Sequence, residues 1–185
     1  MEEEIEIDAK EAADSVEEAF EKVSWVRYLT LSTVIIAVIA AIASLMSGTY
    51  SNEAVLEKNN AVLLQNKASD QWSYYQAKGI KKNIADTFHE EFGGDSFKTQ
   101  STQYGTEQVD IKKQAEDLQK QVEEANKSSE HSLEKHHKTA YSVTFFQIAI
   151  ALSALSSLMK RKSFFVISLL FAFVGIMYLS IGVTI

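Results

Sequence analysis

Two uncharged apolar runs dominate the pattern of hydrophobic and polar positions along the chain. They cover residues 140–159 and 163–185, and only the Lys-Arg-Lys sequence of residues 160–162 separates them. Each run has about the 20 residues that a helix needs to cross a hydrocarbon core of ~30 Å. Because three consecutive cations resist burial in lipid, we expect two transmembrane helices joined by a basic turn at the membrane interface.

A third apolar run occupies residues 28–46 and predicts another transmembrane helix. Trp25 and Tyr28 near one end and Tyr50 near the other suit the two membrane interfaces, where aromatic side chains are enriched. The segment before this run is acidic, whereas a secretory signal peptide begins with a basic segment. We therefore expect a retained span and not a cleaved leader.

Small residues recur at spacings of four inside the predicted spans, and such rows let helix backbones approach closely in lipid. Gln147 is the only strongly polar side chain near the interior of a span. An interhelical hydrogen bond is its expected role, with the lining of a pore as the alternative. The predicted transmembrane packing residues are Ala37, Ala41, Ser44, Gln147 and Ser153.

Residues 47–139 predict an extramembrane antiparallel helical hairpin of coiled-coil type. On the return helix, apolar or small residues follow one another at alternating spacings of four and three from Ile111 to His136. On the outward helix, a heptad-like row of alanines leads to Trp72 and Tyr75, and Gly79 is a candidate for a change of register. The residues predicted to pack within the hairpin or between subunits are Leu56, Leu63, Trp72, Tyr75, Ile111, Leu118 and Val122.

The tip of this hairpin is expected near residues 93–106. Gly93 and Gly94 follow Phe92, glycine is the usual residue just past a helix end, and a polar run continues to Gly105. If the tip is a loop at residues 93–106, the helix that precedes it in the hairpin is longer than the helix that follows it. Either the outward helix bends near Gly79, or the tip segment folds back along it.

The net charge of −7 comes from residues 1–27, which hold ten acidic and three basic side chains, while the remaining 158 residues hold fifteen of each. This balance leaves no basic patch of the kind that nucleic-acid binding requires. Apolar residues in the leader repeat at spacings of four and three, which predicts an acidic amphipathic helix. Such a helix is either solvated or docks a protein partner.

Few residues in the chain suggest chemistry. There is no Cys, no phosphate-binding loop, no serine-nucleophile motif and no charged residue inside a predicted span. His131, His136 and His137 lack the spacing of two ligands on one helical face, and Glu134 with His137 forms only one of the two pairs that a di-iron bundle needs. We expect no enzyme activity, no metal site and no cofactor.

Residues 68–81 read Ala-Ser-Asp-Gln-Trp-Ser-Tyr-Tyr-Gln-Ala-Lys-Gly-Ile-Lys and resemble the signature of a bacterial family known as domain of unknown function 4337. The order of an acidic leader, one span, a helical middle and a closing pair of spans is similar to that family over most of the chain. The resemblance implies a bacterial inner-membrane protein and supplies no activity. On physical grounds Trp72 and Tyr75, one turn apart, can anchor helix packing.

The predicted architecture is an all-α membrane protein with three transmembrane helices and the long hairpin between the first and the second. Val55 and Val62, with Leu56 and Leu63, widen the apolar surface beyond what one return helix covers, which favours a homo-oligomer. The basic turn favours a cytoplasmic leader and a cytoplasmic turn at 160–162, with residues 51–139 periplasmic or extracellular. A non-enzymatic oligomeric scaffold or interaction module is the first hypothesis, a homo-oligomeric channel the second, and a sensor signalling through the leader the third.

Overall fold

The computed structural model describes the backbone of residues 2–185 and the side chains of residues 25–185. This described part of the chain is helical apart from short connections and the last residue, and it contains no strand. Its helices are α1 (Glu2–Phe92), α2 (Asp95–Met159) and α3 (Lys162–Thr184). Long helices follow from a sequence without Pro and with only seven Gly, the two strongest helix breakers. The all-α prediction is confirmed, and each helix is long and apolar enough to cross a membrane.

The predicted tip loop at 93–106 is wrong, because α2 already begins at Asp95. Gly93 and Gly94 alone connect the helices, with φ angles of 69° and 103° that favour glycine. The Gly93 N–H donates to the His89 carbonyl oxygen at 3.0 Å and closes α1. The tip segment thus folds back along α1 as a helix. Its polar composition suggested a loop, but polar residues form helix readily where no Pro intervenes.

Two compact units make up the chain. Residues Met1–Thr49 and Glu134–Ile185 form one of them, which we name the three-helix unit, and residues Tyr50–Leu133 form the other, which we name the two-helix unit. The predicted partner-docking face of the acidic leader lies in residues 1–24, outside the described side chains.

In the three-helix unit, small and hydroxyl side chains fill the interior around one large ring. Phe146 is fully buried, and a Cβ atom added to Gly175 on α3 would lie only 2.8 Å from that ring. Hydroxyl groups join the helices. Thr33 of α1 hydrogen-bonds Ser153 of α2, and the Ser168 hydroxyl of α3 donates to the Ala149 carbonyl oxygen at 2.7 Å. Most large aliphatic side chains of this unit point outward.

Four of the five predicted transmembrane packing residues do not pack inside this chain. Ser153 is buried as predicted, but Ala37, Ala41, Ser44 and Gln147 are exposed. The buried face of α1 is the neighbouring row, which contains Ile36, Ala40, Ala43 and Ser47. Overlapping rows of small residues share the same spacing, so spacing alone could not identify which row meets α2. Contact of the exposed row with another subunit stays a prediction.

Hydrogen bonds connect the two helices of the two-helix unit. Its interhelical hydrogen bonds join residues in antiparallel order: Ser129 with Ala54, Asn126 with Lys58, Gln119 with Trp72, and Gln108 with Tyr75. Ile111 and Val122 are buried, while Leu118, Trp72 and Tyr75 are half-buried. Leu56 and Leu63 are exposed, so they do not pack within the unit. The heptad places them on the outer side of α1, opposite the alanine row that meets α2.

Candidate interaction sites on the two-helix unit

The motif of residues 68–81 lies on α1 of the two-helix unit, where it makes a concentrated set of contacts with α2. Trp72 and Tyr75 meet edge to face with ring centroids 5.7 Å apart, an arrangement that aromatic pairs favour. The Trp72 indole N–H donates to Gln119 Oε1 of α2 at 3.2 Å. The predicted role of these two rings as packing anchors agrees with this geometry.

Lys78 is the centre of a second cluster, in which its ammonium group lies near two aromatic rings. The Nζ atom is 5.4 Å from the centre of the Tyr74 ring and 5.1 Å from that of Tyr104, and it forms an ion pair with Glu107. Only 13% of the Lys78 side chain is exposed. Both cation–π contacts and the ion pair therefore stabilise the charged form of Lys78 where α1 meets α2.

The charges of this cluster shift one another's titration. The hydrogen bond to Glu107 raises the pKa of Lys78 above its usual value, against the opposing effect of burial. The pKa of Glu107 is lowered, first by the Lys78 hydrogen bond and then by the one from Gln103. Each partner favours the ionised form of the other, so the cluster holds its charge through the neutral pH range.

Gly79 ends the motif at a point where a side chain of α2 approaches the backbone of α1. Gln108 donates from Nε2 to the Tyr75 carbonyl oxygen at 3.2 Å, and a Cβ atom on Gly79 would lie 2.7 Å from that nitrogen. Beyond Gly79 the apolar side chains of Ile80, Ile84, Phe88 and Phe92 are exposed. The positions of α1 that are buried or half-buried keep their spacing of three and four across Gly79 and continue to Lys82 and Ala85, so the change of register considered for Gly79 does not occur.

A further set of contacts fastens the tip. The Phe88 ring stacks on both Phe92 and Phe97, with centroids 5.7 and 5.6 Å away. The pKa of Asp86 is lowered, chiefly by a hydrogen bond from Ser101 and then by one from Lys82. These contacts lie on both sides of the two-glycine connection and hold the first turns of α2 against α1.

The sequence analysis did not identify the residues of α2 that contact the motif. Tyr104 falls in the region predicted as a loop, and Glu107, Gln108 and Gln119 are polar positions that a search for apolar periodicity passes over. No group of three or more His, Cys, Asp or Glu side chains that could hold a metal lies together within residues 25–185. The side chains of the motif contact α2, an arrangement that fastens two helices.

The two-helix unit also presents an apolar surface that its own residues leave uncovered. We name it the outer face and define it as Val55, Leu56, Val62 and Leu63, with exposed fractions of 57%, 69%, 54% and 54%. Asn59 and Asn66 lie on the same side of α1 at heptad spacing from these residues. The outer face thus combines apolar and amide side chains without charge, and charge depletion is typical of the centre of protein interfaces.

Comparison with protein families matches residues 25–185 to the family described as Domain of unknown function (DUF4337). The match covers nearly the whole chain, so the chain belongs to this family, as the motif at 68–81 indicated. Neither the search of curated proteins nor that of solved structures finds a match.

Proposed function

We propose that this member of the DUF4337 family is a non-enzymatic integral protein of the bacterial inner membrane that assembles as a homo-oligomeric scaffold. Its three apolar helices cross the bilayer, and the two-helix unit is an extramembrane hairpin that binds other copies of the chain. The apolar exterior of the three-helix unit supports the first part of the proposal, because lipid is the solvent that suits exposed Ile, Leu and Val side chains.

The outer face is the observation that carries the proposal. Val55, Leu56, Val62 and Leu63 repeat at intervals of seven, so they form a straight stripe along α1. Chains anchored in one membrane with one orientation present this stripe in parallel, and identical stripes can then meet residue by residue. Asn59 and Asn66 suit such a seam, since a buried Asn selects partner number and register in parallel coiled coils.

Native mass measurement in mild detergent tests the assembly. We expect a homo-oligomer for the natural chain and dissociation for Leu56→Gln combined with Leu63→Gln, because the amides replace apolar contacts at the centre of the seam. Val109→Gln is the matched control, since Val109 is 68% exposed on α2 and lies away from the outer face. A natural chain that is monomeric, or an oligomer unaffected by both outer-face substitutions, would contradict the proposal.

The proposed topology places the leader and the turn at 160–162 in the cytoplasm and residues 51–139 in the periplasm or outside the cell. The basic turn supports this orientation through the excess of Lys and Arg on cytoplasmic loops. Since the chain has no Cys, the single substitution Ser96→Cys at the exposed tip introduces one thiol that reports its own side of the membrane. We expect a membrane-impermeant thiol reagent to label it from outside the cytoplasm. Labelling of this thiol only from the cytoplasm would reverse the topology.

A channel is the second candidate, and the exposure of Gln147 is what favours it. A carboxamide on the outside of an apolar helix needs a polar neighbour, which another subunit or a water-filled pore would supply. Purified protein in a planar bilayer separates the two functions. Steady currents that change with Gln147→Leu would support a channel. We expect no current, because the described spans carry no row of charged residues of the kind that lines many cation pores.

A further inference from the structure

A shallow groove lies on α1 near its connection to α2, and every residue that lines the groove belongs to α1. Its volume is about 310 Å³, and it is lined by Ile80, Asn83, Ile84, Thr87 and Phe88. Ile80 is 61% exposed and Ile84 is 51% exposed, so their own chain leaves much of both side chains uncovered. We name this feature the tip groove.

Four residues of the tip groove have the spacing of a coiled-coil contact. They are residues 80, 83, 84 and 87, which are neighbours on the surface of a helix because they are three or four positions apart. Four residues in this arrangement form the hole that receives one side chain of a facing helix. In a parallel pair of identical helices in register, the side chain at the level of this hole is Ile84 of the other copy.

The tip groove is in phase with the outer face. Ile84 follows Leu63 by 21 residues and Leu56 by 28, which are three and four heptads, so the three side chains occupy one heptad position of α1. Ile80 likewise follows Asn59 by three heptads. A helix that packs on the outer face and keeps the heptad register therefore meets the tip groove on the same side of α1.

The side of α1 that contains both surfaces carries little charge. Within residues 52–91, eighteen exposed positions lie on this side, at heptad intervals from residues 52, 55 and 56, and the charged ones are Asp70, Glu90 and Glu91. The positions of α2 that point away from α1 within residues 95–131 follow at heptad intervals from residues 95, 96 and 99. Ten of these seventeen exposed positions are Asp, Glu or Lys. Charged side chains suit a surface in water, whereas depletion of charge is typical of the centre of a protein interface.

A second copy of this chain is the occupant that matches this side of α1 along its length. Copies anchored in one membrane with one orientation are parallel, so their outer faces meet each other and their tip grooves meet each other. Between the two surfaces Ser73 and Gln76 can hydrogen-bond the same groups of another copy. Asp70 would face the same carboxylate, which weakens the middle of such a contact and leaves its two apolar ends as the attachments.

We propose that the tip groove binds Ile84 of a second copy of this chain, so that the oligomer is joined near the hairpin tip as well as at the outer face. The inference rests on the proposed homo-oligomer and adds a contact to it. Leu63 and Ile84 are about 30 Å apart along α1. The tip groove thus holds in register a part of the hairpin that the outer face does not reach.

Disulfide cross-linking of single cysteines tests this contact, because the natural chain has no Cys. Three variants of the full chain carry Leu63→Cys, Ile84→Cys or Thr99→Cys, and each is oxidised in native membranes. Equivalent seam positions of a parallel pair lie within the distance that a disulfide spans. Thr99 is the matched control, since it is exposed on α2 and, like Ile84, lies nine residues beyond the Gln108–Tyr75 hydrogen bond.

We expect Ile84→Cys to form a covalent dimer at least roughly tenfold faster than Thr99→Cys, because a fixed contact holds two thiols at a millimolar effective concentration. A mixture of Ile84→Cys chains and tagged Ala77→Cys chains tests the register. These positions differ by one heptad, about 10 Å along the helix, which a disulfide does not span. Mixed dimers should therefore form no faster than the Thr99→Cys dimer.

The outcomes that contradict the inference can be told apart from failure of the proposed homo-oligomer. If Leu63→Cys cross-links rapidly while Ile84→Cys reacts no faster than Thr99→Cys, the oligomer stands and the tip groove has a different occupant. If both react only at the rate of the control, the homo-oligomer and the inference are overturned together. Mixed dimers that form as fast as the Ile84→Cys dimer would overturn the in-register contact.

Discussion

In the three-helix unit the buried positions carry mainly Ser, Thr, Ala and Gly around Phe146, and the exposed positions carry Ile, Leu, Val and Phe. In the two-helix unit the buried positions alternate Ala with residues such as Ile111 and Val122, and most exposed positions are polar or charged. Both units consist of long α-helices, but the exposed positions are mainly apolar in the three-helix unit and mainly polar or charged in the two-helix unit.

This difference shows which forces can hold each unit together. In the three-helix unit close packing and hydroxyl-to-carbonyl hydrogen bonds join the helices, and these are the interactions that remain effective where the surroundings are apolar. In the two-helix unit apolar burial along the heptad is available, and the ion pair at Lys78 adds a polar fastening. The outer face departs from the second pattern, which is why we assign it a protein neighbour.

The largest expected effect is at the centre of the three-helix unit. Phe146→Ala should lower the free energy of unfolding by about 3–5 kcal/mol, because it removes a fully buried ring from a tightly packed interior. Phe173→Ala is the matched control, since this ring of α3 is 69% exposed and lies toward lipid under our proposal. Unfolding in mixed micelles of denaturing and mild detergent measures both. Equal losses would mean that the unit has no distinct interior.

Much of the fold follows from the sequence because apolar periodicity carries the information. The row from Ile111 to Ser132 is buried, apart from half-buried Leu118, as its spacing of four and three predicts. The sequence does not tell which row of small residues in the first span meets α2, since Ala37 and Ala40 both begin rows of equal spacing and only contact with α2 distinguishes them. The prediction of a long loop at the tip was wrong because composition does not distinguish a polar helix from a polar loop.

The second prediction concerns the heptad of the two-helix unit. Val122→Asp should cost roughly 3 kcal/mol, at the upper end of ordinary point substitutions, because an unpaired carboxylate would enter a buried apolar position. Lys120→Asp changes an exposed position of the same helix and should cost little. Thermal unfolding followed by circular dichroism compares them. Equal tolerance of both substitutions would show that this heptad is not a buried seam.

The third prediction compares the rigidity of the two units at one glycine each. Gly175→Ala should destabilise the three-helix unit by about 1–3 kcal/mol, because the new methyl group meets the fully buried Phe146 ring. Gly79→Ala meets the flexible end of Gln108 instead. Its loss of the Gln108 bond, about 1 kcal/mol, is offset by the similar gain in helix propensity. A larger cost at Gly79 than at Gly175 would reverse the comparison.

The candidate site was only half predictable, for a physical reason. The α1 residues Trp72 and Tyr75 form a recognisable motif, and their packing role follows from size and spacing. Their partners on α2, such as Glu107 and Gln119, are polar residues whose position depends on where the helices cross. That crossing is set by the two-glycine connection, and the sequence pattern suggested a longer loop there.

The smallest expected effect is the contribution of the Lys78–Glu107 pair, and its pH dependence has a definite sign. The pKa of Glu107 is lower in the folded chain, so its stabilising effect is present above the unfolded pKa of about 4.3 and is lost as the pH falls through the folded value. The pKa of Lys78 is raised, so its effect is present below the unfolded value of about 10.4 and is lost at higher pH. The natural chain should therefore exceed Glu107→Gln in stability at neutral pH, and the two unfolding curves should converge as the solution becomes more acidic than the folded pKa of Glu107.

Glu116→Gln is the control, because Glu116 pairs with Lys112 of its own helix and not with α1. A gap that stays constant from neutral to acidic pH would mean that the carboxylate charge of Glu107 does not fasten α1 to α2.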